Sequence, residues 1–369
     1  MAITEDAGGP TGIAEDERIT PEELQLAARN HGMPLEALRY DVTPLGMHYL
    51  LIHFDVPRLD VDGYSVEVGG RVRAPRTLSL EEIRARQSVT MPVTMECAGN
   101  GRAKLAPRPI SQPWLDGAVG TAEWTGTPLA PILREAGLED DAVEVVFTGA
   151  DRGFQGDVEQ DYERSLSIAD ALGEDVLLAY EINGVPLTPQ HGFPLRLLVP
   201  GWYGMTSVKW LTRITAVAEP FEGYQMDAYR IRSAPEDAGV PVTRMLPRAL
   251  LVPPGIPDFF TRTRYLDPSV CTLEGRAWSG WGRITRVDVS ADGGGTWTPA
   301  ELADPPAPSA WVRWVFEWDA TRRGEYELCA RAADEAGNVQ PIRQPWNHHG
   351  LSNNMVQRVA VVVGDRPSA

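Results

Sequence analysis

Cysteine is scarce in this chain. Its 369 residues include three, Cys97, Cys271 and Cys329. None forms a CxxC pair, so a zinc ribbon, an iron–sulfur cluster or a thioredoxin-type redox site lacks its ligand set. Attached haem lacks its CxxCH. Positive charge is also short: 34 Lys and Arg against 51 Asp and Glu leave a formal net charge of -17. A phosphate backbone would be repelled at long range, which argues against nucleic acid as the partner, and any anionic ligand needs a local basic pocket. No apolar run is long enough to cross a bilayer as a helix, so no membrane span is expected. The N-terminal MAITEDAGGPTGIAEDE has neither an apolar signal core nor a twin-arginine pair, and a cytoplasmic or an already processed chain is the expectation.

What remains reads as a globular chain, 43% hydrophobic and 23% charged, long enough for two domains. Thr20, Pro21 and Glu23 in TPEE spell a helix start with a capping box, and Ser79 with Glu82 in SLEEIRA repeats it. YSVEVGGRV, AVEVVFTG, LRLLVPG and VKWLTRITAV read as strands, with short helices at PLAPILREAG and SIADALG. Prolines cluster around RALLVPPGIPDF, and beyond them the helical signals stop. The strands that follow alternate with Asp-Gly and Ala-Gly-Asn turns, the pattern of an immunoglobulin-like β-sandwich. The organisation expected is a flexible acidic N-terminus (1–20), an α+β domain (21–245) and a sandwich (246–369). Cys271 and Cys329, with Trp278 and Trp281 between them, are similar to the inter-sheet pair and core tryptophan of such sandwiches, and buried free thiols are the simpler expectation.

VTMECAGNGR, residues 93–102, sets Cys97 between a strand-like run and a stretch of Ala, Gly and Asn that must form a tight loop. A nucleophile, a metal ligand and a buried thiol all remain open, and Arg102 offers charge that would favour a thiolate. With His191 as base, a cysteine–histidine hydrolase is one reading. HGFPLRLLVPGWYGMTSVKW gathers more than that reading needs. His191, Arg196, Ser207 and Lys209 on a strand–turn–strand unit make a receptor for phosphate or another oxyanion, if the two cations are not simply solvated strand ends.

The order of ECAGNGR, PWLDGAVGTAEWTGTPLAPIL, VVFTGADRG, LLAYEINGVPLTPQHGFPLRLLVPGWYG, SVKWLTRI, QMDAYR and PWNHHGLSNNMVQRV resembles the sulfite oxidase family of molybdenum enzymes over most of the chain. The resemblance implies a molybdopterin-binding α+β domain followed by an immunoglobulin-like domain that makes a homodimer. It implies Cys97 as the protein thiolate on molybdenum, a soft ligand beside the pterin dithiolene, on a loop whose Gly and Asn let the backbone approach the cofactor. Asp151, His191, Arg196, Ser207 and Lys209 would line the pterin and its phosphate, with His53 nearby. Tyr229 and Arg102 match the substrate-side tyrosine and one arginine. Three positions depart from the pattern: Leu51, Thr206 and His349 stand where sulfite-oxidising members carry arginines. That leaves Arg102 with His349, which adds charge only when protonated, below about pH 6.5 for an unperturbed imidazole, or which is merely a rim residue beside His348. The activity implied is oxygen-atom transfer between metal and a small oxyanion or oxide. Sulfite oxidation to sulfate is the leading reading and reduction of an S- or N-oxide the alternative. Electrons go to an external acceptor, a cytochrome or oxygen.

Overall fold

A computed structural model describes residues 19–364. The expectation of a flexible acidic N-terminus lies, apart from Ile19 and Thr20, outside the described residues. Both capping boxes form: the Thr20 and Ser79 hydroxyls accept from the backbone N–H of Glu23 and Glu82, whose carboxylates reach back to the cap residues. They open helices Pro21–Arg29 and Leu80–Arg84. Helices are few and short, and no helix among the described residues is long and apolar enough to cross a membrane.

Two sheets build the N-terminal half. One orders its strands Arg76–Ser79, Ser65–Gly70, Leu211–Val217, Glu144–Gln155, Val158–Ser167; all pairs are antiparallel except Ser65–Gly70 with Leu211–Val217. The other runs Val89–Glu96, Val119–Pro128, Leu177–Ile182, Val185–Pro186, with Arg196–Leu198 also on Leu177–Ile182. Alternate residues of these strands turn inward, so Val66, Val68, Phe147, Leu178 and Leu197 join one apolar core with helix Leu129–Ala136. A second core under the second sheet gathers Val93, Met95, Trp124, Leu177 and Leu198, and Cys97 lies at its edge.

The C-terminal half is a sandwich of a four-stranded and a six-stranded sheet. Ser269–Trp278 and Val312–Ala320 pair over nine residues in the first, and Gly324–Asp334 lies between Ile284–Ser290 and Val359–Val363 in the second. Cys271 and Cys329 fall in different sheets, opposite Trp318 and Ser290, and both are free thiols. The tryptophans of these strands, which in sequence look exposed enough to serve a dimer face, mostly point inward. Trp314 and Trp318 fill the sandwich core, while Trp278 and Trp311 enter a third core with Met33, Leu38, Ala98, Met245 and Leu351. Trp281 and Trp346 stay exposed. The third core joins the sandwich to the floor of the Cys97 loop, so the two halves meet directly beneath the site.

Candidate active site

The Cys97 loop is set from below. Glu96, the buried last residue of its strand, accepts from Asn100 Nδ2 (2.9 Å), Arg248 Nη1 (2.7 Å) and Trp278 Nε1 (2.9 Å). The last two donors come from the sandwich side of the molecule. The chain then turns sharply: Asn100 N–H donates to Cys97 C=O (2.9 Å), Asn100 Oδ1 accepts from Ala118 N–H (3.0 Å), and Gly101 has φ +88°. The positive φ favours glycine there. Gly99 has a different reason, not legible in the sequence. A Cβ on it would lie 2.6 Å from Arg102 Nη2, so the missing side chain makes room for the arginine to fold back over the loop. Arg102 is held there by bonds from Nε to His349 C=O (2.7 Å) and from Nη1 to Gln112 C=O (3.1 Å). Burial raises the Cys97 thiol pKa and outweighs the opposing effect of Arg102. An unligated Cys97 is therefore a protonated, inert thiol. No hydrogen bond joins it to His191, whose Nδ1 pairs with Thr188 Oγ1 (2.7 Å), and the hydrolase reading loses its nucleophile–base contact.

Two cavities meet at Cys97. Leu51, His53 and Tyr229 line both of them with it. The inner one brings together all of the expected cofactor residues: His53, Asp151, His191, Arg196, Ser207 and Lys209. Arg196 and Lys209 are not solvated strand ends. Arg196 is buried across the Trp124 ring (5.0 Å) and donates to the backbone carbonyls of His191 (3.0 Å) and Ser207 (2.9 Å). Lys209 Nζ donates to those of Leu51 (2.8 Å) and Gln190 (3.0 Å). Burial lowers the Arg196 pKa to about 10 and pushes Lys209 down as well, with Arg196 adding to the effect, while burial pushes the neighbouring Asp151 up. Two buried cations held by carbonyls, with Asp151 as the one carboxyl among the residues lining this cavity, leave an excess of positive charge. Ser207 Oγ accepts from Val199 N–H (3.1 Å), which fixes the hydroxyl and leaves its own O–H available as a donor.

One inner residue escapes sequence reasoning. His48, in GMHYL, is buried beside His191 with ring centroids 5.8 Å apart, and burial lowers its pKa to about 4. The only signal was its place five residues before His53. Nε2 of His48 and Nε2 of His191 are both buried without a partner. Buried polar atoms of this kind are normally satisfied. A phosphate-bearing pterin, anionic at one end and rich in donors and acceptors at the other, fits two unpaired imidazole nitrogens and an excess of buried positive charge.

The outer cavity, about 560 Å³, opens from Cys97 past Trp114, Tyr229, Arg102 and His349. Burial, and then the nearby thiol, push the Tyr229 phenol up to about 12, so it remains an O–H donor at any ordinary pH. His349 is half-buried, and burial together with His348, Arg102 and Arg232 holds it below the ordinary histidine value. Its protonation therefore needs more acid than the pH 6.5 expected of a free imidazole. The structure also corrects the expectation of Arg102 as the lone arginine of this side. Arg232, two strand positions beyond Arg230, lines the cavity while bonded to the Asp227 and Asp237 carbonyls (3.0 and 2.8 Å) and paired with the Asp227 carboxylate. Arg29, the last residue of the N-terminal helix, lines it as well. Thr206 is buried and lines neither cavity, so its departure from arginine does not bear on a substrate contact.

Residues 53–225 match the family model described as an oxidoreductase molybdopterin binding domain, and residues 261–364 that of a Mo-co oxidoreductase dimerisation domain. The chain is 34% identical over 350 residues to a nitrate reductase [NAD(P)H] of Hordeum vulgare, covering 87% of this chain and 39% of that protein. It is 35% identical over 354 residues to the mitochondrial sulfite oxidase of Drosophila melanogaster, covering 87% and 59%. The chain thus spans between about two-fifths and three-fifths of the length of these relatives. Among solved structures, that of the sulfane dehydrogenase SoxCD from Paracoccus pantotrophus matches with a TM-score of 0.77 at 26% identity, over 99% of this chain and 96% of that one.

Proposed function

The chain belongs to the sulfite oxidase family of molybdopterin-binding oxidoreductases, and from that premise we propose that it oxidises sulfite to sulfate and passes the electrons to an external one-electron acceptor. The observation that carries this reading is the position of Cys97, at the junction of a cation-lined inner cavity and an arginine-lined outer one. Molybdenum–molybdopterin, when bound, supplies two-electron redox chemistry coupled to oxygen-atom transfer.

In this reading the chain's own residues divide the remaining work. Arg196 and Lys209 neutralise the phosphate, and His48, His191 and Asp151 supply donors and acceptors to the pterin. Cys97 would hold the metal as thiolate, since a cation beside it would offset the burial that otherwise favours the thiol. Arg102 orients the substrate oxyanion with the guanidinium face left open by its two carbonyl bonds. Tyr229 donates a hydrogen bond from its phenol to a substrate oxygen, and Trp114 and Leu51 keep bulk water from the reacting atoms.

A second reading, reduction of an S- or N-oxide at the same site, is favoured by the nitrate reductases among the relatives and by Leu51 and His349 in place of arginines. Steady-state assays decide between the two: sulfite with an artificial one-electron acceptor, run beside S- and N-oxides with an artificial donor. Sulfite turnover is the expected outcome, and oxide reduction without any sulfite turnover would move the protein to the second reading.

A further inference from the structure

The outer cavity combines a cationic side with an apolar one. Its volume, about 560 Å³, includes the space at Cys97, His53 and Leu51 that it shares with the inner cavity, and it lies within the range of pockets that enclose organic ligands. Beyond Arg102 and Tyr229 its wall includes Leu26, Ile52, Phe54, Ile110 and Phe154 among polar residues such as Gln112 and Gln155, and Ile110 and Phe154 stand 63% and 71% exposed. These apolar side chains offer contact area to an alkyl group that an inorganic oxyanion would not use.

The charge near Cys97 points the same way. Leu51 presents an alkyl side chain, His349 is held neutral by its surroundings, and Arg232 is already matched to Asp227. Among the described residues Arg102 is thus the unmatched cation nearest Cys97, with Arg29 on the more distant N-terminal helix, a set that balances a monoanion better than a dianion.

Leu26, Arg29 and Ile52 of this cavity precede the residues matched by the molybdopterin-domain model, and the segment that carries them is fixed to the site. Glu23 pairs with Arg108 on the loop bearing Ile110. Asn30, directly after the N-terminal helix, donates to Gln112 Oε1 (3.2 Å) and accepts from Ile52 N–H (2.7 Å). Gln112 in turn accepts from Arg102 Nη1 (3.1 Å) through its carbonyl. Leu26 and Arg29 on that helix are therefore held at a set distance from Arg102, with Arg29 adding positive charge at the mouth that draws anions in.

We propose that the preferred substrate is an organic sulfinate, R–SO2⁻, with an apolar R group lying along Leu26, Ile52 and Ile110. This rests on the oxidative reading above. The reaction balances as R–SO2⁻ + H2O → R–SO3⁻ + 2 H⁺ + 2 e⁻. The sulfur lone pair becomes a new S–O bond, the two O–H bonds of water are lost as protons, and the sulfur-centred electrons pass singly to two molecules of a one-electron acceptor such as a ferric complex. The sulfinate sulfur keeps the lone pair that sulfite offers, and R replaces one charged oxygen.

The test pairs kinetics with equilibrium binding. Straight-chain alkanesulfinates of one to six carbons are compared with sulfite using ferricyanide as acceptor. The matching alkanesulfonates are titrated by calorimetry into cofactor-loaded and cofactor-free protein. Both kcat/KM and sulfonate affinity are expected to rise about fourfold per methylene over the first few carbons, the gain for burying one CH2. The slope should flatten in the Leu26→Ser, Ile110→Ser double variant, whose side chains lie at or near the surface and carry little of the fold. Sulfite preferred over every sulfinate, with sulfonate affinity independent of chain length, overturns the inference and leaves sulfite oxidation standing. Sulfonate affinity that climbs with chain length while neither sulfite nor any sulfinate is oxidised shows instead that the oxidative reading has failed.

Discussion

At the residue scale, the site depends on side chains whose ordinary chemistry is altered by burial. Cys97 is the sharpest case: a thiol that burial keeps protonated becomes a ligand only when a metal displaces the proton. Cys97→Ser should therefore keep its pterin, since Arg196, Lys209 and the histidines are untouched, while losing nearly all turnover. Pterin fluorescence after denaturation, read beside kcat, checks this. His349 gives a pH prediction. Its pKa is lowered, so at pH 6.5 it is mostly neutral, and sulfite affinity should improve only as pH falls through that lower value. The KM for sulfite is accordingly expected to be high and nearly flat from pH 8 to 6.5, and to fall in more acidic buffer, after allowance for protonation of sulfite itself. An arginine bonded to an oxyanion contributes about 1.5–3 kcal/mol, so Leu51→Arg with His349→Arg should lower that KM by roughly a hundredfold to ten-thousandfold if both guanidinium groups reach the substrate. Arg29 makes this an upper range, because it already adds positive charge to the cavity.

At the scale of elements, the strand Arg248–Leu251 ties the sandwich to the site. Arg248 is 1% exposed and bonds Glu96 and Asp116 at 2.7 Å each, with Lys104 also on Asp116 (2.8 Å). Burial opposes ionisation of Asp116, yet Lys104 and Arg248 outweigh it and hold the carboxyl below its usual 3.8. Its stabilising contribution is full above about pH 4 and is lost as pH falls through the depressed value. Arg248→Met leaves two buried carboxylates short of a partner, and breaking a buried pair of this kind costs about 3–5 kcal/mol. A fall in Tm of roughly 5–10 °C, with partial loss of bound cofactor because the floor of the Cys97 loop loosens, is the outcome that calorimetry with metal analysis should find.

These elements also show what a sequence can and cannot disclose. The capping boxes at Thr20 and Ser79, the alternating strands and the Cys97 loop were readable because each depends on neighbours a few residues away. The cofactor set came from the resemblance, since His53, Asp151, His191 and Lys209 are far apart in sequence and only the fold gathers them. Arg248 was not legible as a tie between the halves, nor Gly99 as the space for Arg102, nor Arg29 as a cavity residue, because each meaning lies in one contact between distant segments. The tryptophans misled for the same reason: an alternating strand shows that one face is buried without showing against what.

At the scale of the whole molecule, a net charge of -17 contrasts with an interior gathering of Arg196, Lys209, Arg102 and Arg232, with Arg29 exposed beside them, around two joined cavities. An anionic cofactor and an anionic substrate are drawn to these pockets, while the acidic exterior suits a positively charged electron acceptor. The match to a dimerisation domain over residues 261–364, with Phe259 and Phe260 at 78% and 88% exposure just before it, leads us to expect a two-fold homodimer. Light scattering at micromolar concentration should return twice the 40.5 kDa chain mass, and a monomeric mass there would contradict it.

The most direct test of the central claim is an anaerobic titration of cofactor-loaded protein with sulfite, followed by the visible absorption and electron paramagnetic resonance of the metal centre. One equivalent of sulfite per chain should reduce the centre fully and yield one equivalent of sulfate. A centre that sulfite leaves oxidised, while the chemically reduced protein is promptly reoxidised by an S- or N-oxide, would contradict the account.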